Sequence, residues 1–385
     1  MKLFNLKTYF AGSILILFYI TEFISKIGFY ANSPNSIQLF TKISVALYFL
    51  MEMTVSLKKR KSIIIGFLTL TAGFILGQNF LIGGFTMYSI KIFGKYIFAL
   101  LVLQYFYFNP LSKKAKSFLI QAFKLLIIVN AMFIILGLIF DIHVFETYKY
   151  GRFGYNGLLR NSSTSSYFYL IAVFYVLFKR NLPLRYDSLF VIVMISSLLI
   201  GTKSVYLSIL FFGFFKVYKM CISTKARVLL ISLVSLIGLG LFYIVFYNYT
   251  SFTTIQEEKG ILSSILSFRN DLFINRTLPH ITNHWSFIHY LFGGVDDPYV
   301  RSQLDLIDVL HFFGLVGTIL YIYMYYKLLV TFTLNYKAVA LLFFLSFIIM
   351  LSGNFLSNPT VVMYIVFVQQ ILKTSDTTSF ETRII

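Results

Sequence analysis

Two groups of residues in this 385-residue chain have the types and spacing to do chemistry. The first is basic: Arg152, Arg160, Lys203, Arg269, Arg276 and Arg301. A guanidinium is a planar fork of donors that grips phosphate oxygens two at a time, and clustered arginines hold a pyrophosphate without a metal. Taken singly, each fits a surface salt bridge or a lipid-headgroup contact equally well; as a converging set they fit an anion site. The second group is Asp305, Asp308 and His311. Residues three apart on a helix are neighbours, and each step winds back by roughly 60°, so the three share one broad polar arc. Gly314 and Gly317 continue the stripe with side chains small enough for another helix to approach. Ionisable groups at membrane depth are costly and functional by default, and a carboxylate or imidazole here would serve as general base toward a hydroxyl. The plainer alternative is a helix-start cap with a structural hydrogen bond.

The elements that carry these residues follow from composition. The chain is 58% hydrophobic and only 12% charged, against about a quarter charged in a soluble domain. Its mean hydropathy is +0.81. One water-soluble core of this length would not hide 45 Phe and 28 Tyr, whereas lipid accepts such a surface. No Pro/Gly/Ser-rich linker divides the chain, so 1–385 reads as a single membrane domain. Cys221 is the only cysteine, which excludes an intrachain disulfide and a Cys-based metal site.

Apolar runs suited to crossing roughly 30 Å of hydrocarbon fall near 9–25, 37–57, 63–82, 88–108, 118–140, 164–178, 188–202, 204–220, 228–247, 304–326, 337–356 and 359–372. The expected fold is therefore all-α: a polytopic transmembrane helix bundle of about twelve spans. The first run lacks a small-residue cleavage site and reads as an uncleaved span. Ten-residue alternation is missing, which argues against a β-barrel. With the N-terminus placed inside, the inner segments collect most of the 33 basic residues, including Lys58-Lys59-Arg60-Lys61, Arg180 and Arg185. The net charge of +19 is thus a topology signal, with both termini cytoplasmic, and no nucleic acid is expected as a partner. Two outer segments are longer than turns, 141–163 and 248–303. The second is the large extracytoplasmic loop between spans nine and ten, and long loops in compact proteins are usually functional.

Several residues are given blander roles. Glu22, Lys42, Glu52, Lys95 and Lys124 lie within spans and read mainly as structural or snorkelling. His280 and His284 have metal-ligand spacing but no HExxH pattern or carboxylate partner, so no metal is assigned. Trp285, Ile288, Tyr290 and Phe292 suggest an interfacial helix at headgroup level that covers a site entrance. Phosphate-binding GxxxxGK[ST], GxGxxG and GxSxG patterns are missing, as is a metal-holding DxD on an outer loop. No cofactor is expected.

From residue 141 onward the chain resembles the O-antigen polymerase and O-antigen ligase superfamily of bacterial envelope enzymes. Four segments carry the likeness: GRFGYNGLLRNSSTSSY, LLIGTKSVYLSIL, SFRNDLF…YLFGG and DLIDVLHFFGLVGTILY. Lys203 stands where the family usually has Arg, and the ligase-like His-Asn pair before GxxG is absent, which favours polymerase over ligase. The resemblance implies a metal-independent membrane glycosyltransferase at the outer face of the cytoplasmic membrane. Its substrates would be undecaprenyl-pyrophosphate-linked glycans, polymerised into O-antigen, capsule or exopolysaccharide. A chain-length regulator and a flippase of the same pathway are the expected protein partners. The rival reading is a lipid-linked oligosaccharide flippase or other secondary transporter, which should show repeated halves and charges at the bilayer midplane. No half-to-half similarity is visible.

Overall fold

The computed structural model describes residues 6–373 apart from 34, 56–60, 82–83, 149–151, 180–186, 221, 244–246 and 248–249. The basic residues Lys58, Lys59, Arg60, Arg180 and Arg185, and both chain ends, lie outside the described residues.

Each of the twelve apolar runs falls on a helix: α1 (Leu6–Tyr30), α2 (Ile37–Val55), α3 (Lys61–Asn79), α4 (Met87–Phe108), α5 (Lys113–Phe140), α6 (Ser162–Phe178), α7 (Ser188–Leu199), α8 (Lys203–Tyr218), α9 (Thr224–Tyr243), α14 (Asp305–Leu329), α15 (Tyr336–Leu351) and α16 (Pro359–Lys373). Five of them, α1, α3, α4, α5 and α14, are long and apolar enough to cross a membrane. This is a helical membrane protein; among the described residues the β-structure is one isolated bridge, Glu146 to Tyr155.

Helix starts follow local chemistry. Thr86 and Ser89 form a reciprocal capping box on α4, and Asp187 and Asn335 accept from the first backbone N–H groups of α7 and α15. Helices apolar on every side belong in the interior. Accordingly α6 is buried from Thr164 to Phe178 and α16 from Pro359 to Leu372. Around them α5 exposes Leu125, Ile128, Met132, Ile135 and Leu138, a stripe at helical spacing that faces lipid.

The segment expected as the large loop is itself mostly helical. It carries α10 (Thr250–Leu266), α11 (Arg269–Leu272), a π-helical turn Phe273–Thr277, α12 (Leu278–His284) and α13 (Phe287–Phe292). Phe287 and Tyr290 are exposed, whereas Trp285, Ile288 and Phe292 are half-buried. The close approach read from the glycine stripe is made by α13. Gly314 breaks α14 at φ +63, and a Cβ there would strike the backbone of Leu291, Phe292 and Gly293. The break leaves the His311 carbonyl to accept from the Gly294 N–H at 3.3 Å.

Candidate anion-binding site

Arg152, Lys203 and Arg269, spread over more than a hundred residues of sequence, line one cavity of about 270 Å³. Two glycines bring the first pair together. Thr147 N–H donates to the Gly154 carbonyl, Tyr155 N–H to the Leu199 carbonyl, and the Thr147 hydroxyl to the Ile200 carbonyl, each at 2.8 Å. At this crossing a Cβ on Gly154 would meet the Ile200 carbonyl, and one on Gly201 would meet that of Phe153. Both glycines also have positive φ, +150° and +72°. Arg152 and Lys203, each two residues from its glycine, are thereby held side by side.

Arg269 arrives by a tight reversal after α10. Ser267 and Phe268 both adopt left-handed backbone (φ 53° and 65°), at a cost of about 1–2 kcal/mol per residue. The turn is tied by Phe268 N–H to the Ser263 carbonyl at 3.0 Å and by the Asn270 amide to the Ser263 hydroxyl at 2.7 Å.

Aromatic rings, hydroxyls and carbonyls surround all three cations. The Arg152 guanidinium lies 3.8 Å from the Tyr148 ring centre and 4.4 Å from that of Phe252, and donates to the Tyr148 hydroxyl at 3.0 Å. The Lys203 ammonium sits 3.9 Å from the Phe252 ring centre. It donates to the Ser264 carbonyl, to that of Ile265 at 3.1 Å and to the Ser267 hydroxyl at 3.1 Å. Arg269 donates to the carbonyls of Leu266 (3.4 Å) and Leu351 (3.3 Å). Among the described residues, neither guanidinium has a carboxylate within 4 Å. The Nε–H of Arg152 and that of Arg269 are buried without a hydrogen-bond partner. Burial lowers the pKa of both guanidinium groups; their proximity lowers that of Arg152 further, while the Tyr148 hydroxyl opposes the shift in each. Unsatisfied buried donors and crowded like charges are both relieved by an anion.

The rest of the lining fits the same ligand. Ser162, Ser163, Ser166, Thr202, Ser204 and Ser352 supply hydroxyls. First-turn residues of α6 and α8 line the cavity, and neither helix is capped by a side chain, so the positive helix ends adjoin it. The same cavity is lined by the apolar side chains of Leu207, Leu210, Phe242, Ile348 and Leu351. Charged head and apolar wall adjoin in one cavity.

The remaining expected site residues lie elsewhere. Arg160 is exposed and donates to the Gln38 side chain at 3.2 Å. Arg276 reaches the Tyr299 carbonyl at 3.4 Å. Arg301 is ion-paired with Asp308, its Nη2 and Nε 2.7 and 3.1 Å from one carboxylate oxygen, while Ser302 donates to the other through its N–H and hydroxyl. Asp305 is fully buried and accepts from the N–H groups of Asn354, Phe355 and Leu356 at 2.8, 2.6 and 2.8 Å. It therefore fixes the turn between α15 and α16, beside the cavity residues Leu351 and Ser352. His311 pairs with His280 at 2.9 Å, and the far nitrogen of His280 lies 3.4 Å from Asp296. Burial lowers the pKa of His280 and Asp296 opposes it. The expected interfacial helix α13 packs on α3 and α14 and does not line the cavity.

Sequence reading missed Tyr148 and Phe252, which cradle the cations, because an aromatic in so aromatic a chain carries no distinguishing signal. The hydroxyl collar was visible only as the run NSSTSS opening an apolar span. No protein-family model, curated protein or solved structure matches this chain, so the geometry of the site is what bears on its function.

Proposed function

We propose that the cavity binds the diphosphate of a polyprenyl-linked glycan and that the protein is a polysaccharide repeat-unit polymerase of a bacterial cytoplasmic membrane. The observation that carries this reading is the convergence of Arg152, Lys203 and Arg269 with two uncapped helix ends beside an apolar wall. Such a site fits a ligand with an anionic head and a hydrocarbon tail. A cavity of about 270 Å³ lies below the usual range for drug-sized ligands, so it houses the head while sugars extend outside it.

In the reaction, an acceptor hydroxyl oxygen attacks the anomeric carbon of the donor sugar. The bond from that carbon to the phosphate oxygen breaks, and its electron pair leaves with the lipid diphosphate. Negative charge grows on the leaving oxygen, where preorganised donors act most strongly: the two orphan Nε–H groups, the Lys203 ammonium and the first-turn N–H groups of α6 and α8. Among the described lining residues there is no carboxylate or imidazole. The hydroxyl proton is therefore assigned to an oxygen of the departing diphosphate. Asp305 and Asp308 are positioning residues, because their oxygens are already engaged by backbone N–H groups, Ser302 and Arg301.

The test is glycan chain length on a gel for cells expressing Arg152→Ala or Arg269→Ala at wild-type level. Loss of long chains is expected, with lipid-linked single repeats accumulating on the outer face. Normal polymer from both variants would sink the reading. Accumulation on the inner face would instead indicate a transporter.

A further inference from the structure

The helices that line the cavity carry a second group of cations at their far ends. Leu177 lies about 20 Å along α6 from the cavity residue Ser163. There the Leu177 carbonyl accepts from the Lys216 ammonium at 2.9 Å, and the Phe178 carbonyl from the Lys337 ammonium at 3.2 Å. Lys216 belongs to the last turn of α8 and Lys337 to the first turn of α15, so two cations remote in sequence converge on one helix end. Lys219 caps α8, and its ammonium lies 5.2 Å from the Tyr218 ring centre and 5.6 Å from that of Tyr336. The Lys337 ammonium lies 5.7 Å from the same Tyr336 ring.

A helix C-terminus favours cations, and capping of α6 accounts for part of this cluster. It does not account for the rest. An ammonium has three N–H donors, and Lys216 and Lys337 each use one on α6, while Lys219 lies against rings. Among the described residues, none of the three lysines has a carboxylate within 4 Å. Asp187, the first acid after α6, accepts at Oδ1 from the first N–H groups of α7. A basic residue that sets topology needs no convergence with others. The surroundings are apolar on one side and interfacial on the other. Tyr336, Val339, Phe343, Phe347 and Met350 are exposed at helical spacing, one lipid-facing stripe of α15 that begins at the cluster. Across the seam, Phe211 of α8 stacks on Phe344 at 4.8 Å and on Phe343 at 6.1 Å. Tyr218 and Tyr336 are exposed amphipathic rings of the kind that mark the headgroup level. Uncompensated cations at headgroup level, with an apolar stripe leading away from them, complement a lipid with an anionic head.

We propose that this end of the α8–α15 seam binds an anionic glycerophospholipid, with its phosphodiester on the ammonium groups of Lys216, Lys219 and Lys337 and an acyl chain along the α15 stripe. The inference is independent of what the cavity binds. Its consequence is mechanical. The lysines belong to α8 and α15, two of them hold the end of α6, and the other ends of all three helices line the cavity. A lipid seated here ties together the three helices that shape that site, and so raises the stability of the bundle by binding the folded chain.

The experiment titrates phosphatidylglycerol or phosphatidylcholine into the full chain in neutral detergent, read by native mass spectrometry with thermal midpoints alongside. Wild type is expected to hold phosphatidylglycerol at least tenfold more tightly than phosphatidylcholine, and its midpoint to rise with the anionic lipid. Lys219→Gln should cut that preference several-fold, and adding Lys337→Gln should abolish it. Lys219→Gln leaves both carbonyl bonds to α6 in place, so it tests the site even where the double variant is unstable. Two controls should keep the preference. Lys113→Gln with Lys114→Gln removes equal charge from the exposed start of α5, and Arg152→Gln with Arg269→Gln disarms the cavity. Equal retention of the two lipids by wild type, an undiminished preference in Lys219→Gln, or an equal loss in the α5 variant would overturn the site. Loss in the arginine variant would place the lipid in the cavity instead and overturn it too. Displacement by glycerol 3-phosphate at matching concentration would overturn the role of the acyl chain.

Discussion

Replacing Arg269 by Gln gives the sharpest measure of the cavity's purpose. The guanidinium spends Nη1 on the carbonyls of Leu266 and Leu351 and keeps its Nε–H buried and unpartnered, and among the described residues no carboxylate lies within 4 Å of it. A hydrogen bond to a charged group contributes about 1.5–3 kcal/mol. Removing the charge and its orphan donor should therefore weaken a bound diphosphate roughly 10- to 150-fold, at about 1.4 kcal/mol per factor of ten. Glutamine retains an amide that meets one of the two carbonyls, which limits the structural damage. The assay is titration of farnesyl diphosphate into purified wild type and variant, repeated at two salt concentrations, with a thermal midpoint to confirm folding. Arg276→Gln is the control, because that side chain lies outside the cavity on the Tyr299 carbonyl. A change below twofold for Arg269→Gln, or an equal loss for Arg276→Gln, would refute the assignment.

Asp305→Asn should cost stability rather than chemistry: the amide leaves one acceptor for three backbone donors, a loss of about 1.5–3 kcal/mol, seen as a lower thermal midpoint. Full stability with polymer abolished would mean instead that the carboxylate acts on substrate. Gly201→Ala should separate Arg152 from Lys203, because the added carbon meets the Phe153 carbonyl at a positive φ; diphosphate binding should fall several-fold, and wild-type affinity would contradict the crossing described above. His280 is faced by His311, His284, Asp296 and Asp297, and burial lowers its pKa in the folded protein. The unfolded chain thus binds the proton more readily. The stability contributed by neutral His280 is present above about pH 6.5 and is lost as pH falls below it. A thermal midpoint that drops between pH 7.5 and 5.5 in wild type, and drops less in His280→Gln, is the expected pattern; equal drops would exclude His280 as a source.

The helices were legible because lipid-facing and core positions alike demand long apolar runs, and each such run became a helix. The site was legible in part for a similar reason. Arg152, Lys203 and Arg269 stood out as charges in segments that the charge bias assigns to the outer side. Which charges converge is decided by contacts remote in sequence, such as Gly154 on Gly201, and no spacing rule reports those. Arg301 and Asp308 looked like separate functional groups and are partners of each other, seven residues apart. Asp305 looked like a base and is bound to a turn fifty residues away. Lys42 and Glu22 read as structural or snorkelling charges, and their pairing escapes any spacing rule because they come from different helices.

The Lys203 ammonium ends α10 as well as lining the cavity, since it donates to the Ser264 and Ile265 carbonyls at that helix's last turn. An anion that draws this ammonium toward itself withdraws the cap from those carbonyls. Occupancy of the cavity and order of the 250–267 segment are then two readings of one equilibrium. Hydrogen exchange at the end of α10 would serve as a gauge of ligand that needs no label on the lipid.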